Sequence, residues 1–209
     1  MRFHSITRNM IFIGLCLVWP ALLAAGEFNT ILNIGDQAPA WSQIPGADGK
    51  EHSLADLADR KAVVLVFTCL SCPTALDYEE RIEKLRKDYA PRGVEVVAVC
   101  VNQVPQDRLE AITQRVQKKG YTFPYLYDET QKIAKDYGAI FTPEFYVLDG
   151  ERKIAYMGAM DDKTEAESVE VKYVSAALDA ILSGQPVPKA EVIARGCRIR
   201  YARERRESK

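Results

Sequence analysis

Residues 68–73 read Thr68-Cys69-Leu70-Ser71-Cys72-Pro73, and the six residues before them, Ala62-Val63-Val64-Leu65-Val66-Phe67, are an unbroken apolar run. A run of this length, rich in β-branched side chains and bounded by polar ones, predicts a buried strand. Beyond the cysteines, Tyr78, Ile82, Leu85 and Tyr89 recur at helical spacing among charged residues and predict an amphipathic helix over about 74–89. Pro73 falls at its start, where a missing N–H costs no hydrogen bond. A C-x-x-C pair at such a junction lies beside the unpaired N–H groups and the positive end of the helix dipole, which favours thiolate over thiol. A second thiol three positions on can capture a mixed disulfide formed by the first. The stretch predicts a redox dithiol at Cys69 and Cys72.

Two blander readings compete. Half of a structural zinc site also reads C-x-x-C, but zinc needs two further Cys or His at matching spacing. Downstream there are only Cys100 and Cys197, far apart, and no His follows His52. No metal site is expected. The other alternative, a pair of inert buried cysteines, leaves the strand, the helix and the proline without a purpose.

Composition sets the frame. Arg2 and Arg8 precede an apolar stretch from Met10 to Ala25, too short to span a bilayer comfortably, and Ala24-Ala25-Gly26 supplies small residues for cleavage. Residues 1–26 are therefore expected to be a signal peptide, Glu27 the mature N-terminus, and the protein periplasmic or secreted, with no stable membrane anchor after cleavage. Cys16 leaves with that segment, and Leu15 before it argues against a lipoprotein anchor. Without Arg2 and Arg8, 26 basic side chains face 29 acidic ones, a net charge of −3 that gives no reason to expect nucleic acid as a partner. Outside the cytosol a dithiol is oxidised unless something reduces it, so a thiol reductant or oxidant is expected as a partner.

The body alternates. After a turn-rich stretch over 27–50, with room for a short hairpin, come the strand at 62–67, the helix at 74–89 and a second strand from Val94 to Val101. A helix over about 106–119, a shorter one over 128–137, two strands at 144–148 and 153–157 joined by Asp149-Gly150, and a last helix over about 169–182 follow. This order implies an α/β domain over 27–190, a central mixed sheet flanked by helices on both faces. The remainder, 191–209, reads as a basic, solvated tail containing Cys197; from Arg195 on it holds seven basic and two acidic residues.

Thr142-Pro143 leads straight into the strand Phe145 to Leu148, although a proline cannot donate to a ladder. Strand, C-x-x-C, helix, then Thr-Pro at the head of an antiparallel strand resembles the thioredoxin-like fold, in which that proline is cis and faces the dithiol. Ile34-Gly35-Asp36-Gln37-Ala38-Pro39, Asp48-Gly49-Lys50 and Ser53-Leu54-Ala55-Asp56-Leu57 resemble the opening of its redoxin, peroxiredoxin-like branch. Gly120 to Leu126, Asp128-Glu129-Thr130, Gly158 to Asp162 and Gly196-Cys197-Arg198-Ile199-Arg200 are similar to segments of a bacterial subgroup of thioredoxin-family proteins.

The resemblance implies roles. Cys69, as the thiol nearer the helix end and more exposed, would attack a substrate disulfide, and Cys72 would resolve it. Thr142 and Pro143 would align a cysteine-containing protein substrate as an added strand. No cofactor beyond the Cys69–Cys72 disulfide is implied. Two departures stand out: Thr68 replaces the tryptophan usual before the first cysteine, and Val63 to Val66 supply no buried carboxylate, which leaves Glu144 as the candidate proton acceptor. Cys100 reads as a packing residue. Cys197 is a candidate accessory thiol that relays a disulfide to Cys69 or Cys72, pairs with Cys100, or stays free.

The function expected is an exported thiol–disulfide oxidoreductase, with the resemblance favouring reduction of substrates. A peroxiredoxin-like peroxidase is the alternative; its reactive cysteine follows a Thr by three residues, and here Val66 precedes Cys69 and Cys69 precedes Cys72. A copper-binding protein on the same fold ranks third, because its relatives space the cysteines one residue wider and add a distant His.

Overall fold

The computed structural model describes residues 26–202, so the expected signal peptide, Gly26 excepted, lies outside the described residues. A two-stranded hairpin, β1 (Ile44–Pro45) with β2 (Glu51–His52), precedes the first long strand, β3 (Ala62–Phe67). Then follow α1 (Pro73–Tyr89), β4 (Val94–Cys100), α2 (Leu109–Lys119), β5 (Tyr125–Tyr127) and α3 (Lys132–Asp136). The chain closes with β6 (Phe141–Thr142), β7 (Glu144–Leu148), β8 (Ile154–Gly158), α4 (Tyr173–Leu182) and β9 (Cys197–Arg198).

The central sheet runs β5-β4-β3-β7-β8, parallel on the β5-β4-β3 side and antiparallel across β3-β7-β8. Every residue of β3 and β4 is buried, as a strand covered on both faces requires. Alternate residues of β3 feed two cores. Ala62, Val64 and Val66 join Ile82 and Leu85 of α1, Ile112 of α2, and Val174 and Leu178 of α4. Val63, Leu65 and Phe67 join Ile133 of α3 and the N-terminal residues Leu32, Trp41 and Leu54 on the other face. The dithiol belongs to the first of these cores.

The stretch expected to be a solvated tail is part of the domain as far as Ala202. Glu191 accepts hydrogen bonds from the backbone N–H groups of Glu27, Phe28 and Asn29, Val192 N–H reaches Met157 O at 3.0 Å, and Ile199 and Ala194 are buried. Composition alone does not reveal this, because the segment is held by these few backbone bonds and by Ala194 and Ile199, set among exposed basic residues.

Phe67 meets Tyr137 and Tyr146 edge to face, with ring centroids 5.9 and 5.6 Å away. It is wholly buried at the last strand position before the cysteines. We expect Phe67→Ala to destabilise the protein by about 3–5 kcal/mol in denaturant unfolding. A loss under about 1 kcal/mol would mean that this end of the sheet collapses around the gap and is not close-packed.

Candidate functional site

β3 ends at Phe67 and α1 begins at Pro73, so both thiols lie in the link between them. Thr68 extends the ladder by one step, donating its N–H to Val99 O at 2.9 Å. Cys72 is the N-cap of α1, its Sγ accepting the Ala75 N–H at 3.4 Å, with Pro73 in the first turn. Phe67 pairs with Glu144, and this brings the chain just before β7 against the chain just after β3. The Thr142–Pro143 peptide there is cis. Cys72 Sγ donates to Thr142 O at 3.2 Å when protonated, and Thr142 Oγ1 lies 3.5 Å from Cys69 Sγ.

Both cysteines are buried, Cys69 2 % exposed and Cys72 1 %, so neither is open to solvent and exposure does not set the two apart. The two thiols differ in acidity. The hydrogen bond from Cys69 is the main cause that brings Cys72 down to about 4; burial opposes it, and Cys197, Ala75 N–H and Thr142 add to it. The same bond raises Cys69, and burial and the negative charge of Asp107 raise it further. The helix starts one turn later than Cys69, so Cys72 is the thiol that caps its end. Both hydroxyls near Cys69 have other acceptors as well. Ser71 Oγ donates to Asp107 Oδ2 and Thr142 Oγ1 to Cys197 O.

Asp107 is the residue that sequence reading missed. Fully buried, it accepts from Leu70 N–H at 2.9 Å, Ser71 N–H at 2.7 Å, Ser71 Oγ at 2.5 Å and Asn102 Nδ2 at 3.0 Å. It thus holds both residues between the cysteines by their backbone. The helix expected from about 106 begins at Leu109, and Asp107 ends a 3-10 turn over Pro105–Asp107 that follows β4. The available signal was an acid just beyond the carboxyl end of a central strand, the end at which the cysteines also emerge.

A second feature also escaped: β9 pairs antiparallel with β6, Cys197 opposite Thr142 and Arg198 opposite Phe141. The edge expected to receive a substrate strand is covered by the protein's own chain. Gly196 makes this approach fit, since a Cβ there would lie 2.0 Å from Thr142 O.

The profile of the Redoxin family matches residues 33–177. The chain belongs to the redoxin family. It is similar to a Mycobacterium tuberculosis protein whose name places it provisionally among the peroxiredoxins, 30% identical over 149 residues, 68% of this chain and 88% of that one. It is also similar to the thiol:disulfide interchange protein DsbE of Yersinia pestis, 30% identical over 142 residues, 66% of this chain and 72% of the other. Among solved structures, an uncharacterised conserved protein from Geobacillus kaustophilus superposes with a TM-score of 0.78 at 36% identity, over 85% of this chain and 96% of that one. The architecture is the thioredoxin-like one, shared with a Chlorobium tepidum protein named provisionally as the thiol:disulfide interchange protein DsbE, at a TM-score of 0.60 and 19% identity over 72% of this chain and 99% of that one.

In this redoxin Glu144 does not face the thiols. Its Oε2 accepts Ile140 and Phe141 N–H, both at 2.8 Å, and its Oε1 accepts the Tyr146 hydroxyl at 3.0 Å. Phe145 and Val147 fill the core that holds Cys69 and Cys72, whereas Tyr146 belongs to the opposite core. Strand alternation therefore turns the Glu144 carboxylate away from the dithiol, and burial raises its pKa there. It pins β6 and is no proton acceptor for Cys72. Cys100 is fully buried in the core of the dithiol, its pKa raised by burial, as a packing residue should be. All four described cysteines are free thiols.

Two measurements check this geometry. Because the folded-state pKa of Cys72 is lowered, the thiolate stabilises the reduced protein fully above the ordinary thiol value near ~8.5 and ceases to do so as pH falls through about 4. Thiolate ultraviolet absorbance of the reduced protein should disappear with a midpoint near there; loss near the ordinary value would refute the assignment. Asp107→Asn puts an amide donor where Ser71 or Asn102 donates, and should cost about 1–3 kcal/mol in unfolding and quicken alkylation of the pair by removing the charge that raises Cys69.

Proposed function

We propose that this redoxin is an exported thiol–disulfide oxidoreductase that exchanges disulfides with cysteine-containing proteins through Cys69 and Cys72. The observation that carries the reading is the pair of buried, free thiols at the N-terminus of α1, each in contact with Thr142 of the cis Thr142–Pro143 peptide. No cofactor is needed beyond the disulfide itself. A small-molecule or protein thiol outside the cytosol would return the pair to its working state.

The acidity difference assigns the steps. A substrate thiolate attacks Cys69 Sγ of the oxidised pair, the Cys69–Cys72 bond breaks, and Cys72 departs as the more acidic and therefore better leaving group. A second substrate thiol then attacks its own sulfur in the mixed disulfide and releases Cys69. Substrate is oxidised by two electrons and the pair reduced by two. Reduction of a substrate disulfide runs the same steps backwards: Cys69 first passes its proton to Cys72 along their shared hydrogen bond, attacks, and is finally resolved by Cys72. Family resemblance favours the reductive direction, whereas a stabilised Cys72 thiolate stabilises the reduced pair and works toward oxidation. Thr142 and Pro143 serve to align the substrate strand, once β9 gives way.

Peroxidase activity is the second reading, supported by the peroxiredoxin-named relative at 30% identity. Val66 occupies the position three residues before Cys69 where the peroxiredoxin pattern has Thr.

A redox titration of the mature protein in glutathione buffers, read by alkylation and peptide mass spectrometry, tests the proposal. The expected result is a reversible Cys69–Cys72 disulfide with a midpoint between about −270 and −120 mV, less negative than thioredoxin owing to the Cys72 thiolate. Cys72→Ser should accumulate a mixed disulfide at Cys69, and peroxide consumption should not exceed that of an ordinary free thiol. Failure of the pair to form, together with rapid peroxide turnover, would transfer the assignment to the peroxidase.

A further inference from the structure

β9 holds the position that an added substrate strand would take, and it brings a cysteine with it. The pairing of Cys197 with Thr142 is reinforced by the Thr142 Oγ1 hydrogen bond to Cys197 O at 3.4 Å and by Ile199 N–H donating to Ile140 O at 2.8 Å. The following residues are fastened in turn. Arg200 N–H reaches Asn102 Oδ1 at 2.9 Å, Gln131 Nε2 reaches Arg200 O at 2.9 Å, Ala202 N–H reaches Gln131 Oε1 at 2.7 Å, and Tyr201 Oη reaches Ala139 O at 2.7 Å. Asn102 also donates to Asp107, so the segment that presents Cys197 and the loop that presents the dithiol share one buried amide.

The Cys197 thiol is the exposed member of the cluster, and the β6–β9 register sets it opposite Thr142, whose carbonyl lies 3.2 Å from Cys72 Sγ and whose hydroxyl lies 3.5 Å from Cys69 Sγ. The nearness of Cys72 is the main cause that pushes Cys197 up to about 11. The cause is confined to the reduced protein, because in a Cys69–Cys72 disulfide the sulfur of Cys72 carries no charge. Oxidation of the pair therefore releases Cys197 toward an ordinary thiol and makes it a nucleophile beside the very bond it would attack.

We propose that Cys197 is a third redox thiol, an intramolecular substrate of the dithiol that exchanges with the oxidised pair to form a Cys72–Cys197 disulfide and fasten β9 over the substrate edge. In this step the Cys197 thiolate attacks Cys72 Sγ, a Cys72–Cys197 bond forms, the Cys69–Cys72 bond breaks, and Cys69, although the less acidic sulfur and so the slower to leave, departs with the electron pair and is held as a thiol by the proton Cys197 gave to solvent. No electrons enter or leave the protein, so the exchange needs no further oxidant. It reverses when Cys69 attacks Cys72. The inference rests on dithiol exchange at Cys69 and Cys72 as the protein's function, and it adds a closed state from which a substrate strand is excluded.

Three variants decide it, each treated with oxidised glutathione, quenched in acid, alkylated and mapped by peptide mass spectrometry. In Cys69→Ser, Cys72 and Cys197 should join in an intramolecular disulfide in most molecules; if both instead remain glutathionylated or free, the proposal is overturned. Cys197→Ser should retain the Cys69–Cys72 disulfide and exchange with a cysteine-containing peptide at least about tenfold faster than the wild type; an unchanged rate shows that no Cys72–Cys197 bond closes the site and overturns it too. Gly196→Ala, whose Cβ would press on Thr142 O, should dislodge β9 and reduce the yield of the Cys72–Cys197 disulfide in a Cys69→Ser background several-fold; an undiminished yield would mean that strand pairing does not present Cys197. The dithiol reading fails differently, through absence of the Cys69–Cys72 disulfide in Cys197→Ser.

Discussion

The antiparallel register that sets Phe67 opposite Glu144 governs the rest of the site. Once those two residues are paired, the residues that follow one and precede the other have no choice but to meet at the same end of the sheet. One side contributes Cys69 and Cys72, the other Thr142 and Pro143. The register is secured by burial: β3 and β7 are covered on both faces, and a slip of one residue would exchange the side chains of the two cores.

Around that meeting point the protein assembles its chemistry from the backbone as much as from side chains. Cys72 closes the end of α1 and gains a donor from it; Asp107 holds the two intervening amides; Thr142 lends a carbonyl to one sulfur and a hydroxyl to the other. A buried carboxylate with four donors is costly to disturb, because each donor loses its partner in a place water does not reach. The charge of the same carboxylate adds to the Cys72 hydrogen bond and to burial in raising the pKa of Cys69.

The C-terminal segment changes how the site meets its surroundings. Thioredoxin-like proteins offer a strand edge beside the dithiol, and here that edge is closed by β9. That short pairing sets Cys197 opposite Thr142, the residue that contacts both sulfurs of the dithiol.

The sequence by itself determined the strand at 62–67, the helix that starts at Pro73, the hairpin at Asp149-Gly150, the mixed sheet and the C-x-x-C pair at the strand–helix junction. Each of these follows from local signals, namely apolar periodicity, turn residues and cysteine spacing; that Thr142-Pro143 faces the dithiol was implied by the resemblance to the thioredoxin-like fold. Tertiary structure alone decided three things: that Glu144 turns away, that Asp107 takes the loop, and that Cys197 returns to the site across more than fifty residues of chain. The face on which Glu144 lies depends on the register of a partner strand; Asp107 lies beyond β4 and reaches the loop only because β4 and β3 are parallel neighbours; and β9 is two residues long, below what any periodicity can reveal. Local pattern records which element a residue joins, and long-range pairing records which residues it meets.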